Sequence, residues 1–161
     1  MSTENCLRGK RILVVDDEPD ILEALEELLS ECKIEKASSF DEAWELLGNK
    51  YYDLAVLDIM GVDGFKLLSL ANERKISAVM LTAHALSVED AKKSFKEGAA
   101  YYIPKDEMAN IEIILRDVLE AKERKKNSLE SWLDRFDSFF ENKFGPDWKK
   151  GDKEFWTIGF E

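Results

Sequence analysis

The chain has 161 residues and a formal net charge of −11, and 45% of its residues are hydrophobic. This length suits one ordinary domain, and the apolar content is high enough for a buried core, which excludes disorder over most of the chain. The excess of acidic residues repels phosphate backbones and anionic lipid. We therefore expect neither a nucleic-acid partner nor a membrane partner.

The cysteines and the N-terminal residues bear on the cellular compartment. Cys6 and Cys32 are the two cysteines of the chain, and their spacing matches no metal or redox motif. They are typical of reduced thiols. Residues 1–10 contain no apolar signal segment, and no apolar run approaches the roughly 18 residues of a membrane span. These features favour a cytoplasmic protein.

Strand and helix patterns alternate five times along residues 10–122. Short apolar runs predict buried strands, and apolar residues at a spacing of three or four predict a helix after each strand. The predicted strands are 11–15, 33–36, 53–57, 77–81 and 100–103, and the predicted helices are 19–31, 41–47, 65–70, 87–97 and 111–119. Apolar strands separated by helices indicate a parallel sheet with helices on both faces.

Polar residues follow the predicted strands directly. Asp16 and Asp17 come after the first strand, Asp58 after the third, Thr82 after the fourth and Lys105 just past the fifth. Ligands of open α/β sheets bind beyond the carboxyl ends of the strands, so we expect these side chains to share one rim. Crowded carboxylates favour a hard cation such as Mg²⁺. With a lysine and a hydroxyl beside the metal, this set contains the groups that phosphoryl transfer requires.

Four motifs together resemble the receiver domain of two-component response regulators. They are Val-Val-Asp16-Asp17-Glu-Pro, Leu57-Asp58-Ile-Met, Leu81-Thr82-Ala83 and Tyr102-Ile-Pro-Lys105, in the family's order and at near-family spacing. The resemblance implies a doubly wound, flavodoxin-like sheet of five parallel strands in the order 2-1-3-4-5. It also implies a signalling switch that catalyses its own phosphoryl transfer and autodephosphorylation but is not otherwise an enzyme.

The resemblance also implies a role for each site residue. Asp58 matches the phosphoacceptor, which takes a phosphoryl group from a sensor histidine kinase or a phosphotransfer protein. The Mg²⁺ ligands of the family match four positions of this chain. These are Asp17 as a direct ligand, Asp16 through water, Asp58, and the backbone carbonyl of Met60. Lys105 matches the cation that pairs with the phosphoryl group.

Two further residues match the conformational switch of the family. Thr82 corresponds to the hydroxyl that moves onto the phosphoryl oxygen, and Tyr102 to the aromatic residue that then turns inward. A downstream protein target would read this change. The loop after Asp58 departs from the family pattern, because it is about two residues short and lacks a proline. Gly61 would permit a tighter loop with a positive φ.

Other interpretations of these residues stay open. Asp16 and Asp17 also suit the cap of the following helix, and Tyr102 also suits simple core filling. A receiver-like scaffold that is not phosphorylated is the alternative function. A haloacid dehalogenase-type phosphatase is disfavoured, because that family places an acid two residues after its nucleophile, where this chain has Met60. His84, the single histidine, suits an exposed loop residue.

The C-terminal residues form a compositionally distinct region. We divide the chain into an N-terminal tail (1–9), a receiver domain (10–126) and a helical extension (127–161). Large apolar residues of the extension recur at helical spacing: Leu129, Trp132, Leu133, Phe136, Phe139, Phe140 and Phe144. This stripe either packs on its own receiver or binds a partner, and we favour a homodimer through residues 129–160.

Overall fold

A computed structural model describes residues 7–82 and 88–124. The strands are β1 Arg11–Val15, β2 Lys33–Ala37, β3 Leu54–Asp58, β4 Ser77–Thr82 and β5 Tyr101–Pro104. The α-helices are α1 Pro19–Leu28, α2 Phe40–Asn49, α3 Gly64–Glu73, α4 Val88–Lys96 and α5 Ile111–Arg124, and a 3₁₀ helix spans Lys105–Asn110. The expectations for the helical extension, its dimer stripe and His84 lie outside the described residues.

All five strands pair in parallel, in the order β2-β1-β3-β4-β5. This confirms the doubly wound five-stranded sheet. The order reverses between β1 and β3, which is the switch point where such sheets bind ligands. Asp58 pairs with Leu81 across β3 and β4, and Thr82 pairs with Pro104 across β4 and β5. The carboxyl ends of these strands are therefore nearly level.

The core lies on both faces of the central strands. All five residues of β3 are buried, as are the last four of β1, because helices cover the sheet from both sides. Edge strand β2 is more exposed, which explains its weak apolar pattern. No helix within the described part of the chain has both the length and the apolar character to cross a lipid bilayer.

The helix ends differ in detail from the predictions. Pro19 opens α1, where its missing N–H leaves no hydrogen bond unmade. Ser39 caps α2, since its Oγ accepts a hydrogen bond from the Glu42 N–H at 3.2 Å. The predicted end of α2 at residue 47 is wrong, because the helix continues to Asn49. The sequence patterns also missed the 3₁₀ helix after β5.

Candidate functional site

The structure brings Asp16, Asp17, Asp58 and Lys105 together at the carboxyl end of the sheet, and we call these four residues the rim site. Asp16 follows β1, Asp58 ends β3, and Lys105 follows β5. Asp16 is fully buried, Asp58 is 3% exposed, and the Lys105 side chain is 10% exposed. Three segments that are distant in sequence thus deliver charged groups to one largely buried place.

Lys105 is the cation that faces the buried acids. Its Nζ lies 2.7 Å from Asp16 Oδ2 and 3.6 Å from Asp58 Oδ1. Glu18 Oε1, on a half-exposed side chain, lies 3.6 Å from the same nitrogen. The lysine is therefore held most closely by Asp16, with Asp58 within reach.

Backbone N–H groups orient the two buried carboxylates. Gly61 N–H donates a hydrogen bond to Asp58 Oδ2 at 3.0 Å, and Glu18 N–H donates one to Asp16 Oδ1 at 2.9 Å. The helix-cap interpretation of Asp16 is wrong, because the N-cap residue of α1 is Glu18 and no side chain caps that helix. The Asp16 carboxylate instead turns toward Lys105.

The two buried acids of the rim site, Asp16 and Asp58, resist ionisation. Burial raises the pKa of Asp58, and the charge of Asp16 raises it further against the attraction of Lys105. Burial also raises the pKa of Asp16, although its hydrogen bond to Lys105 opposes the shift. Burial alone would lower the pKa of Lys105, but its contacts with Asp16, Asp58 and Glu18 outweigh burial and raise it. One lysine therefore does not neutralise this group.

The donor set fits a hard divalent cation. One carboxylate oxygen from each of Asp16, Asp17 and Asp58 lies within 4.8 Å of the other two. Octahedral Mg²⁺ needs ligand oxygens about 3 to 4.2 Å apart, so a small contraction would bring these oxygens into its shell. A bound ion would also offset the burial that raises the pKa of Asp16 and Asp58, and the charge of Asp16 that raises the pKa of Asp58 further. The residues present thus suit Mg²⁺ in both chemistry and spacing.

Comparison with known proteins identifies the family. The sequence model of the response regulator receiver domain family matches residues 12–116 of this chain. This chain belongs to the response regulator receiver family. Members of this family act as signalling switches rather than as conventional enzymes, and membership supports a phosphoacceptor role.

Individual relatives agree with this assignment. The two-component response regulator ARR18 of Arabidopsis thaliana is 37% identical over an alignment of 103 residues, and the match covers 60% of this chain but only 16% of that protein. A CheY-like receiver domain protein from Methanospirillum hungatei JF-1 is 29% identical, with a TM-score of 0.62, over 72% of this chain and 98% of its own.

A third relative has been crystallised in a modified form. It is a response regulator protein from Burkholderia pseudomallei with a phosphorylated aspartic acid, a calcium ion and citrate. It shares 27% identity with this receiver, with a TM-score of 0.59, over 71% of this chain and 73% of its own.

The other predicted site residues of this receiver lie in β4, in β5 and in the loop after β3. Thr82 is buried at the last position of β4, one residue beyond the partner of Asp58. Tyr102 is fully buried in β5, where it pairs with Met80. The Met60 carbonyl accepts a long hydrogen bond of 3.4 Å from the Asp63 N–H. The Met60 side chain is 68% exposed.

The shortened loop after β3 turns differently from the expectation. The predicted positive φ at Gly61 is wrong, because Asp63 instead adopts the left-handed conformation, with a φ of 54°. Glycine is needed at position 64 for another reason: a Cβ there would lie 2.2 Å from the backbone oxygen of Asp58. The loop therefore packs its backbone directly against the end of β3.

Sequence reasoning missed two residues of the site. Glu18 reaches Lys105, and Gly61 contacts Asp58 through its N–H. The sequence could have indicated Glu18, because this acid directly follows Asp16 and Asp17 in the loop after β1. Nothing in the local pattern around Gly61 indicated its contact.

Proposed function

We propose that this receiver is a phosphorylation switch in which Asp58 accepts a phosphoryl group. The donor would be a phosphohistidine on a sensor histidine kinase or a phosphotransfer protein, and the reaction would require Mg²⁺. The observation that carries the proposal is the rim site itself, in which Asp58 lies between two further acids and one lysine. The phosphorylated aspartic acid in the Burkholderia relative supports it.

In the proposed reaction, a carboxylate oxygen of Asp58 attacks the phosphorus atom of the donor. The new O–P bond forms as the N–P bond to histidine breaks, and that electron pair returns to the imidazole nitrogen. Gly61 N–H holds Asp58 Oδ2 at 3.0 Å, which limits rotation of the carboxylate. Bound Mg²⁺ would supply positive charge that keeps the buried carboxylate ionised and neutralises the incoming phosphoryl oxygens. Asp17, Asp16, Asp58 and the Met60 carbonyl would hold this ion.

Lys105 would pair with the phosphoryl group after transfer. Its Nζ lies 0.9 Å closer to Asp16 than to Asp58 before transfer, at 2.7 Å against 3.6 Å. A phosphoryl group brings more negative charge than a carboxylate, so we expect Lys105 to move toward position 58. Thr82 would then move onto a phosphoryl oxygen. Tyr102 is already fully buried before transfer, so phosphorylation would hold its inward position rather than create it.

The proposed partners follow from this reaction. A kinase or phosphotransfer protein would load Asp58, and a downstream protein would read the switched surface, all in the cytoplasm. We also propose that the receiver spans residues 10–126, and that residues 129–160 of the extension pair two copies of the chain. The aromatic composition of that stripe supports the last point.

The test is phosphorylation of the full chain by acetyl phosphate, read as an intact-mass increase and mapped to one residue by peptide analysis. We expect modification at Asp58 in Mg²⁺ and none in excess chelator. Asp17→Asn should require far more Mg²⁺, whereas Asp20→Asn, the same change at an exposed position of α1, should behave like the wild type. A folded protein that binds Mg²⁺ but never gains a phosphoryl group would contradict the proposal and favour the scaffold alternative.

A further inference from the structure

Gly61 lies against the side chain of Asp17. A Cβ at position 61 would lie 2.4 Å from Asp17 Cγ and 2.4 Å from each of its carboxylate oxygens. Ordinary contacts between such atoms are about 3.5 Å or longer. Any residue other than glycine would therefore displace the Asp17 carboxylate or be displaced by it.

The turn itself does not require glycine at position 61. Among the described residues, positive φ values occur at Gly9, Gly98, Asp63 and Lys75, and Gly61 is not one of them. Its backbone conformation is therefore open to alanine without strain of the left-handed kind. The steric demand at this position comes from Asp17 and not from the loop.

Gly61 and Gly64 differ in the kind of atom that they approach. A Cβ at Gly64 would meet the backbone oxygen of Asp58 at 2.2 Å, and the backbone cannot yield without moving β3. The three heavy atoms nearest to a Cβ at Gly61 belong instead to the carboxylate group of Asp17, whose side chain is exposed. A substitution at Gly61 should therefore cost little in folding but should move Asp17.

We propose that Gly61 is a positioning residue for the metal site, a proposal that rests on the proposed function above. Its N–H holds Asp58 Oδ2 at 3.0 Å, and its bare Cα leaves the space that Asp17 occupies. One residue of the shortened loop thus sets the separation of two of the three acids. The missing side chain keeps Asp17 within 4.8 Å of Asp16 and Asp58.

The experiment measures Mg²⁺ affinity by titration calorimetry and unfolding by urea in chelator, both on the full chain. Gly61→Ala should weaken Mg²⁺ binding about tenfold or more, the usual effect of disturbing the support of a ligand. Its urea midpoint in chelator should stay near that of the wild type. Gly48→Ala is the matched control, because a Cβ there meets nothing within 4 Å, and its Mg²⁺ affinity should not change.

A double-mutant cycle separates the contact with Asp17 from other effects. In an Asp17→Ala background the clash is gone, so Gly61→Ala should cause no further loss of Mg²⁺ affinity. Additive losses would overturn the inference, as would a Gly61→Ala protein that binds Mg²⁺ normally or fails to fold. If the wild type itself does not bind Mg²⁺, the proposed function fails too. If Asp17→Asn weakens binding and Gly61→Ala does not, only this inference fails.

Discussion

The rim site can be compared with a second group of polar side chains beside edge strand β2, which we call the edge cluster (Glu35, Lys50 and Tyr52). In the edge cluster Lys50 Nζ lies 2.8 Å from Glu35 Oε2, and the Tyr52 hydroxyl donates to Glu35 Oε1. Hydrogen bonds from Lys50 and Tyr52 lower the pKa of Glu35. In the rim site, burial raises the pKa of Asp16 and Asp58.

The difference separates an ion pair whose groups are all paired from a site whose charges remain unbalanced. Glu35 is partly exposed and each of its oxygens has a donor, so nothing further is needed there. The rim site buries two acids against one lysine and adds a third acid, Asp17. The repulsion among these acids lowers the stability of the free protein and would favour the binding of a cation.

Asp58→Asn should have the largest effect, because it removes the proposed phosphoacceptor. We expect complete loss of phosphorylation by acetyl phosphate. The variant should also be more stable in chelator, by roughly 1–2 kcal/mol, since an amide relieves the repulsion with Asp16. Urea unfolding checks the stability and intact mass checks the phosphorylation. A less stable Asp58→Asn protein would contradict our account of the rim site.

Lys105→Met should destabilise the protein by about 3 kcal/mol at pH 7, because it leaves Asp16 buried without its cation. Lys50→Met in the edge cluster should cost less than about 1 kcal/mol, since that ion pair is exposed. Urea unfolding of both variants measures this contrast. Equal losses would remove the distinction between the two groups.

The two groups should also respond to pH with opposite signs. The raised pKa values of Asp16 and Asp58 contribute stability below the ordinary aspartate value of 3.8, and this is lost as pH rises through the raised values. The lowered pKa of Glu35 contributes stability above the ordinary value of 4.5, and this is lost as pH falls.

Urea midpoints between about pH 3 and pH 7, in chelator, test these signs. Asp58→Asn should reduce the loss of stability that the wild type shows as pH rises toward 7. Glu35→Gln should reduce the loss of stability that the wild type shows as pH falls toward 3. This change should be smaller, because Glu35 is partly exposed. The prediction fails if both substitutions change the pH dependence of stability at the same end of this pH range.

Tyr52→Phe should have a small effect, a loss of roughly 1 kcal/mol from one hydrogen bond to a charged group. The ring is buried and would remain in place. We also expect the pKa of Glu35 to rise toward its ordinary value, because one of its two donors is gone. Nuclear magnetic resonance titration of Glu35 measures that shift, and phosphorylation of Asp58 should not change.

Local sequence determined the elements and the residues at their ends. Each buried strand is a short apolar run, and period-2 or period-3.6 patterns depend only on neighbours in the chain. Asp16, Asp58 and Lys105 were therefore placed at strand ends, and a shared rim followed from the geometry of parallel sheets. Helix ends differ from the predicted ones, since the continuation of α2 to Asn49 depends on packing as well as propensity.

The contacts within the site were decided by tertiary structure. The ion pair of Lys105 with Asp16, and the space that Gly61 leaves for Asp17, join loops that follow three different strands. Such distances depend on strand register, on the length of the loop after β3, and on the left-handed turn at Asp63. No pattern of neighbouring residues contains that information, because it arises only when separate segments pack against one another.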